Sequence, residues 1–275
     1  MLKKTKRFTS GYFEASFEVR SDLNKLKKAK SLTVRLKKHN GRDDTGRISS
    51  RHIGGGAKKV YRVISDLSEI KTPCKVLDIQ YDPNRSANIA LLETEEGKKK
   101  YVISPEKLKV GSIVSYKDEE NLKLGDRAML KNIPVGSSVH NIEITPFSRG
   151  IFARSAGTFA TLMAVEEGYA LLKMPSGELR RVHERCLASL GQVSATDHSN
   201  VRIGKAGRMR HMGKRPTVRG KAMSPAAHPH GGGEGVNPIG LKYPKTPWGK
   251  IAIGKKTRGK KLSDKYIISR RGKKR

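Results

Sequence analysis

Positive charge is concentrated at the two ends of this sequence, and that distribution limits where a folded core can form. Residues 1–60 carry 17 basic and 5 acidic side chains, residues 61–200 carry 19 and 18, and residues 201–275 carry 22 and 2. The last segment also holds 13 of the 28 glycines and 6 of the 12 prolines, which disfavour long helices and supply no core. We therefore predict a globular middle flanked by extended basic arms.

The formal net charge of +33 on 275 residues calls for a polyanionic partner, because charge of one sign repels itself in a compact state. Nucleic acid and anionic lipid are the usual polyanions. No segment approaches the roughly 18 consecutive apolar residues that a membrane span needs. Glu14 and Glu18 interrupt the apolar stretch that follows the basic N-terminus, so we expect neither a signal peptide nor a membrane partner.

The middle of the sequence alternates apolar and polar residues with a period of two, which predicts β-strands. Turn-forming Pro, Gly, Asn and Asp residues separate the strands into two series, and such short, closely spaced strands favour two small barrels. Helical periodicity is weak nearly everywhere, although residues 21–38 could form a short helix. The candidate strands are 75–81, 88–94, 100–104, 111–116, 138–144, 158–165, 169–174 and 179–183.

Three consecutive glycines, Gly54–Gly56, lie inside a dense basic flank. Glycine allows close backbone approach and exposes amide donors to phosphate oxygens, while Arg47, Arg51, Lys58 and Lys59 supply positive charge. No Gly-Lys-Ser/Thr sequence closes the segment, so it is not a nucleotide-binding P-loop. The segment favours nucleic-acid binding, and the alternative is a flexible linker in solvent.

The C-terminal part of the chain contains a mixed Arg and Gly run at residues 206–221 and a Lys-rich tail from Lys255 onwards. Cations in such number release many counterions when they neutralise phosphates. The single tryptophan, Trp248, lies between them and either stacks on a base or packs against a barrel.

The segment from His228 to Glu234 contains two histidines that flank a proline and precede three glycines. Metal binding needs three or four convergent ligands, and acid/base catalysis needs a pocket, which a Gly- and Pro-rich arm cannot form alone. We favour an ordered loop whose imidazoles stack on bases or bond to phosphate and ribose. Only two cysteines, Cys74 and Cys186, are present and lie far apart, so we predict reduced thiols and no Cys-type zinc site.

Several long motifs are similar in identity and order to those of one known family. From about residue 40 to the C-terminus, the sequence resembles the universal family of the second large-subunit ribosomal protein, in its bacterial form. The motifs are Gly46–Ile48, Arg51–Gly56, Tyr81–Leu91, Ile133–Gly136, Ala153–Thr158, Arg215–Gly220, His228–Gly235 and Thr246–Gly249.

The resemblance implies a mainly β fold, with an OB-fold barrel followed by an SH3-like barrel and extended basic N- and C-terminal arms. The expected segments are a basic N-terminal extension (1–40), an OB-fold RNA-binding domain (41–120), an SH3-like barrel domain (121–200) and an extended Gly/Pro-rich basic arm (201–275).

The resemblance also implies a function. The chain is expected to be a structural constituent of the large ribosomal subunit and a primary rRNA-binding protein near the peptidyl transferase centre, where it supports subunit association, tRNA binding and peptide-bond formation. Expected partners are large-subunit rRNA, small-subunit rRNA at an intersubunit bridge and neighbouring ribosomal proteins, without membrane binding or homo-oligomers. The expected location is a cytoplasmic ribosome of bacterial rather than organellar type.

No enzymatic activity is expected. A peptidyl transferase role has been proposed for the family histidine that corresponds to His228, and that role is disputed. Ser224–Ala227 stands where the family usually has Asn-Pro-Val-Asp, and the missing acid weakens any proton relay through His228. We predict no catalytic residue, no protein metal site and no cofactor apart from RNA-associated magnesium.

The predicted RNA-binding residues combine the basic side chains, glycines, histidines and tryptophan of these motifs. They are Arg47, Arg51, His52, Gly54, Gly55, Gly56, Lys58, Lys59, Arg62, Arg85, Arg154, Arg202, Lys205, Arg208, Arg210, Lys214, Arg215, Arg219, Lys221, His228, His230, Gly231, Gly232, Gly233, Trp248, Lys255, Lys256 and Arg258. A basic DNA-compacting protein is the remaining alternative, although shape-fitting Gly and Pro arms suit folded RNA better.

Overall fold

The computed structural model describes residues 2–4, 9, 15–21, 23, 26–67, 72–117, 121–234 and 238–271. They divide into two compact units that are not consecutive in the sequence. The barrel unit comprises the described residues of 1–38, 58–205 and 265–271, and the arm unit comprises those of 39–57 and 206–264. The division into four consecutive segments stays a prediction, and the structure adds that residues 39–57 share a unit with residues 206–264.

The barrel unit is mainly β, as predicted, and its curled sheets are consistent with barrel domains. The strands of the described residues are β1 (Leu2–Lys4), β2 (Ser16–Glu18), β3 (Thr33–Val34), β4 (Tyr61–Arg62), β5 (Cys74–Gln80), β6 (Ile89–Thr94), β7 (Lys99–Ile103), β8 (Ile113–Val114), β9 (Arg127–Met129), β10 (Ser138–His140), β11 (Ile142–Glu143), β12 (Gly150–Phe152), β13 (Ala160–Glu166), β14 (Tyr169–Lys173), β15 (Leu179–His183), β16 (Leu187–Leu190) and β17 (Ile267–Ser269).

The helical segments are few and short. The described residues include one α-helix, α1 (Ala206–His211), and the 3-10 turns Lys30–Leu32, Leu130–Asn132, Thr196–Asn200, Gly220–Ala222 and Leu262–Tyr266. The short helix considered for residues 21–38 is therefore reduced, in the part that is described, to one 3-10 turn. None of these described helices has the length and apolar character that crossing a membrane requires.

The first sheet is antiparallel, with strand order β7-β6-β5-β8. Apolar side chains cover both faces of β6, because Ala90 and Leu92 belong to one buried cluster while Ile89 and Leu91 belong to another. All four predicted strands of this series form, with ends shifted by one or two residues. A strand buried on both faces needs apolar cover on each side. The curled sheet is consistent with the predicted small barrel.

The second sheet has seven antiparallel strands in the order β17-β15-β14-β13-β10-β16-β9. Leu162 of β13 pairs with Leu172 of β14, and both are fully buried in one apolar cluster. The strand predicted over 138–144 is interrupted at Asn141, whose positive φ of 50° separates β10 from β11. At the sheet's edge lies β17, whose residues fall within the segment predicted as an extended arm.

A fully buried ion pair crosses the second barrel. Arg127 Nη2 donates to Glu143 Oε1 at 3.0 Å, and both side chains are 0% exposed. Arg127 Nη1 also donates to the Asn141 carbonyl at 2.8 Å, and Glu143 Oε2 accepts from the Leu187 N–H at 3.0 Å. Burial raises the pKa of the Glu143 carboxyl, which the backbone N–H of Leu187 and the charge of Arg127 oppose. Removal of one partner would leave a buried charge without compensation.

Polar contacts join the two barrels within the barrel unit. The buried Asp66 carboxylate accepts from Asn141 Nδ2 at 2.6 Å and from the Gly150 N–H at 3.1 Å. The buried Ser194 hydroxyl accepts from the Asn88 N–H at 3.2 Å. The two predicted thiols, Cys74 and Cys186, are free and buried.

The arm unit is organised differently. Among its described residues, only Gly54 and His228 are buried, and no apolar side chain is. Backbone hydrogen bonds join its two segments, from Gly54 N–H to the Gly213 carbonyl at 3.0 Å and from Ala57 N–H to the His211 carbonyl at 2.9 Å. Backbone contacts rather than apolar burial therefore hold these segments together.

Candidate RNA interface

The three glycines of Gly54–Gly56 take positive φ values of 155°, 67° and 83°. A Cβ on Gly56 would lie only 2.9 Å from the Gly213 backbone nitrogen, so that position accepts no side chain without movement. The close backbone approach predicted for these glycines is thus made within the arm unit, to residues 211–213. Because the Gly54 N–H is bound to the Gly213 carbonyl, it is not available to a phosphate in this conformation.

Basic side chains surround that glycine contact. Helix α1 carries Arg208 and Arg210, and the strand-like segment after it bridges Lys214 to Ile53. The Arg215 N–H donates to the His52 carbonyl at 2.9 Å. The chain fold therefore joins two predicted RNA-binding motifs, which lie some 160 residues apart in the sequence, into one basic surface. The exposed predicted cations of the arm unit are Arg47, Arg51, Arg210, Lys214, Arg215, Arg219, Lys255, Lys256 and Arg258.

The only tryptophan belongs to this surface. Trp248 is 75% exposed, and the Arg51 guanidinium lies 5.3 Å from its ring centroid. An exposed aromatic ring with a cation near it is a common arrangement in proteins that stack on nucleic-acid bases. The exposure of Trp248 favours the base-stacking alternative of the two that the sequence left open.

The histidine loop is held together by its own imidazoles. The His228 side chain is 7% exposed, and a Cβ on Gly220 would lie 2.5 Å from its Cε1. His228 Nδ1 accepts from the His230 N–H at 3.0 Å, and His230 Nε2 accepts from the Lys245 N–H at 2.9 Å. Desolvation lowers the pKa of His228, and electrostatic interactions with His230 and Arg51 lower it further. His228 is therefore a neutral acceptor inside the loop.

The glycines of this loop also make internal contacts. The Gly231 N–H donates to the His228 carbonyl at 2.8 Å, and the Gly232 N–H donates to the Met223 carbonyl at 3.1 Å. A Cβ on Gly231 would lie 2.3 Å from the Ser224 carbonyl oxygen. Close backbone approach explains these two glycines within the chain itself, and their contact with RNA stays a prediction.

Other predicted RNA ligands lie in the barrel unit and have partners there. Arg62 and Arg85 bind the fully buried Asp82 carboxylate at 3.3 Å and 2.7 Å. Arg154 donates to the Gly150 carbonyl at 2.6 Å, and burial lowers the pKa of its guanidinium. These three arginines stabilise the barrel unit, and their phosphate contacts stay predictions. Arg202 and Lys205 are exposed in the same unit.

The barrel unit has a basic groove of which the sequence prediction included only Lys58 and Lys59, because it placed no site in residues 1–40. The strands β3 and β4 pair Thr33 with Arg62 and Val34 with Tyr61, so the chain segments next to them run side by side. They enclose a groove of about 500 Å³. Its lining residues are Arg35, Leu36, Lys37, Lys38, Lys58 and Lys59. The five cations of this lining suit a phosphodiester backbone, and the pairing of distant segments had no signal in the sequence.

Asp43, which lies in the loop that carries Arg47, is hydrogen-bonded within that loop. Asp43 Oδ1 accepts from Thr45 Oγ1 and from the Arg47 N–H, both at 2.8 Å, and the Thr45 hydroxyl bond is the main cause of its lowered pKa. Asp43 therefore orders the loop that carries Arg47. Across the part of the chain that is described, no three His, Cys, Asp or Glu side chains lie close enough to hold a metal ion.

Comparison with known protein families gives two matches that together cover most of the chain. The model described as Ribosomal Proteins L2, RNA binding N-terminal domain, matches residues 29–116. The model described as Ribosomal Proteins L2, C-terminal domain, matches residues 123–249. The first match includes the residues that line the basic groove, and the second includes the histidine loop and Trp248.

Proposed function

Because this chain belongs to the ribosomal protein L2 family, we propose that it is a primary rRNA-binding protein near the peptidyl transferase centre. The family is a structural RNA-binding family of the large ribosomal subunit and is not an enzyme family. It would support subunit association, tRNA binding and peptide-bond formation by holding RNA in place. We further propose that it forms a bridge with small-subunit rRNA and contacts neighbouring ribosomal proteins. It would be monomeric and would belong to a bacterial-type cytoplasmic ribosome.

The observation that carries the proposal is the charge of the arm unit. Residues 39–57 and 206–264 contain 17 basic and 4 acidic side chains, a net charge of +13 on 78 residues. Its described part buries no apolar side chain that would offset the mutual repulsion. RNA phosphates supply the missing countercharge, and folded RNA offers crevices that match a narrow chain.

The geometry of the histidine loop favours a structural role over acid/base chemistry. His228 has Nδ1 bound to a backbone N–H and is almost fully buried, so it offers no exposed base to a substrate. The His228→Gln variant on assembled ribosomes should slow single-turnover peptide-bond formation by less than about 100-fold, the lower limit for general acid/base catalysis. A larger loss with normal assembly would contradict the structural role.

The salt dependence of RNA binding tests the proposal. The probe is a transcript of the large-subunit rRNA from the same organism, and the arm variant replaces Arg208, Arg210, Lys214 and Arg215 with Gln. The wild-type plot of log affinity against log salt should be steep, and the arm variant should lower its slope by about 3 because each lost phosphate contact removes roughly 0.7–0.9.

A matched control replaces four exposed cations of the barrel unit, Lys99, Lys131, Lys173 and Arg185, with Gln. That control removes the same charge and should change the slope by less than about 1. A flat wild-type plot would contradict RNA binding through charge, and equal slopes for both variants would contradict the role of the arm unit. Equal competition by duplex DNA would favour the DNA-compacting alternative.

A further inference from the structure

The hairpin of β11 and β12 contains unusual backbone strain. Three of the eight described non-glycine residues with positive φ lie in it or directly beside it, namely Asn141 at 50°, Phe147 at 61° and Ala153 at 51°. A left-handed backbone is unfavourable for any residue with a Cβ, and for a bulky aromatic residue it is an outlier. Such strain persists only where the surrounding structure imposes it, and it clusters at functional positions.

A buried carboxylate of the barrel, that of Glu143, binds the backbone of Phe147 at the hairpin tip. Its N–H donates to Glu143 Oε2 at 3.1 Å, and Glu143 is fully buried in its ion pair with Arg127. Ser148 Oγ donates to the Thr145 carbonyl at 2.7 Å and closes the turn. A fully buried ion pair therefore fixes the backbone of one loop residue.

The Phe147 side chain itself gains nothing from that anchoring within the chain, because it is 77% exposed. A core role would require burial, and glycine would fill the left-handed position without strain. The arrangement instead presents an aromatic side chain to solvent from a fixed backbone position. This is the pre-organisation expected of a residue that meets a partner.

The surroundings of the tip indicate the chemistry of that partner. Arg149 follows two residues later and is exposed, with its Nη2 bound to the Ile64 carbonyl at 3.0 Å. Arg154 lies close enough to Arg149 for their charges to repel, which contributes to the lowered pKa of Arg154. The hairpin region thus offers an exposed ring and two guanidinium groups that are hydrogen-bonded to backbone carbonyls. This combination suits an unpaired base and its phosphates, whereas an apolar protein surface would have to desolvate both charges.

We propose that Phe147 stacks on an unpaired base of ribosomal RNA, with Arg149 and Arg154 beside the flanking phosphates. The inference rests on the proposed function, because it names one RNA contact of the same protein. Neither the sequence motifs nor the predicted RNA-binding residues include this hairpin tip.

Four variants of the full-length chain test the stacking, with the large-subunit rRNA transcript as the probe. Phe147→Ala and Phe147→Leu should each weaken the affinity by about 5- to 150-fold, the range for loss of one base–aromatic stack. Phe147→Trp should stay within about threefold of wild type because it keeps an aromatic face. Phe147→Gly should lose affinity without a lower melting temperature, since it relieves the left-handed strain.

Two controls make the outcome decisive. Ile151→Ala removes another exposed apolar side chain of the same hairpin and should leave the affinity unchanged. The salt slope should be the same for all Phe147 variants, because the ring carries no charge. Wild-type affinity in Phe147→Leu would show an apolar contact instead of stacking, and wild-type affinity in Phe147→Ala would exclude any contact.

The binding data distinguish an absent stacking contact from an absence of RNA binding. If the wild-type chain binds the transcript with a steep salt slope and Phe147→Ala binds equally well, only the stacking is wrong. If the wild-type chain does not bind the transcript, RNA binding itself is contradicted. In chemical probing of the transcript, one or a few unpaired nucleotides should be protected in the wild-type complex and reactive in the Phe147→Ala complex.

Discussion

The barrel unit and the arm unit of one chain are ordered by different interactions. In the barrel unit, side chains such as Leu162 and Leu172 are fully buried in apolar clusters. In the described residues of the arm unit only Gly54 and His228 are buried, and backbone hydrogen bonds supply the contacts. Apolar burial is the dominant favourable term in folding, so the arm unit has a much smaller intrinsic reserve of stability.

Charge increases this difference. The barrel unit has a net charge of +20 on 197 residues, whereas the arm unit has +13 on 78. A unit with more charge per residue, and with no buried apolar side chain among its described residues, is more easily opened by its own repulsion. We therefore expect the barrel unit to fold on its own apolar core, whereas the arm unit needs a polyanion to offset its charge.

The largest expected effect contrasts one ion pair from each unit. Arg127→Met leaves the buried Glu143 carboxylate without its guanidinium and should lower the free energy of unfolding by about 3–5 kcal/mol. Arg258→Met breaks the partly exposed pair with Asp264 in the arm unit and should cost less than about 1 kcal/mol. Denaturant unfolding followed by circular dichroism measures both, and equal losses would remove the distinction between the units.

Acid should destabilise the barrel unit through one buried imidazole. Burial lowers the pKa of His140 from 6.5 to about 4, and its Nδ1 lies 2.9 Å from the Gly191 carbonyl oxygen. A folded-state pKa below the unfolded value means that the stability is present above pH 6.5 and is lost as pH falls towards 4. The loss over that range should approach about 3 kcal/mol.

The His140→Gln variant isolates this contribution. Glutamine is uncharged at every pH and can donate to the Gly191 carbonyl, so the variant should have a flatter stability profile between pH 6.5 and 4. His228→Gln, in the arm unit, should leave the same profile of the barrel unit unchanged. The check is chemical denaturation at a series of pH values, and an unchanged acid limb in His140→Gln would show that other groups cause it.

A smaller effect concerns backbone approach in the arm unit. Gly56→Ala places a Cβ 2.9 Å from the Gly213 nitrogen at φ +83°, so it combines a clash with left-handed strain and should cost about 2–3 kcal/mol locally. Gly46→Ala has φ +80° with open space around the Cβ, and strain alone should cost about 1 kcal/mol. Limited proteolysis should cleave the Gly56→Ala variant faster within the arm unit. Equal cleavage of the two variants would show that the approach of the two backbones is not required.

The sequence predicted the parts of the fold in which side-chain pattern decides structure. Strands β5, β6, β13, β14 and β15 alternate or bury apolar residues, and all were expected within two residues of their ends. Strands β9 and β16 were missed because buried polar residues, Arg127 and Ser189, interrupt their apolar pattern. Those residues are buried by tertiary partners that no local pattern reveals.

The candidate site was predicted in composition but not in arrangement. The basic and glycine-rich motifs were identified, yet their pairing depends on the fit of Gly56 against Gly213, which leaves no periodic signal. The same holds for Arg35 and Lys37, which acquire a role only when their segment lies beside Lys58 and Lys59. His228 was expected to meet RNA, and its burial against Gly220 could not be foreseen from sequence.

The central claim, that RNA completes the arm unit while the barrel unit folds alone, is tested most directly by amide hydrogen exchange with and without the rRNA transcript. The key amides are those of Gly54, Ala57 and Arg215, which bond across the arm unit, and those of β13 and β14 in the barrel unit. Without RNA the arm amides should exchange at least about 100-fold faster than those of β13 and β14, and RNA should slow them selectively. Equal protection of both units without RNA, or no slowing on binding, would contradict the account.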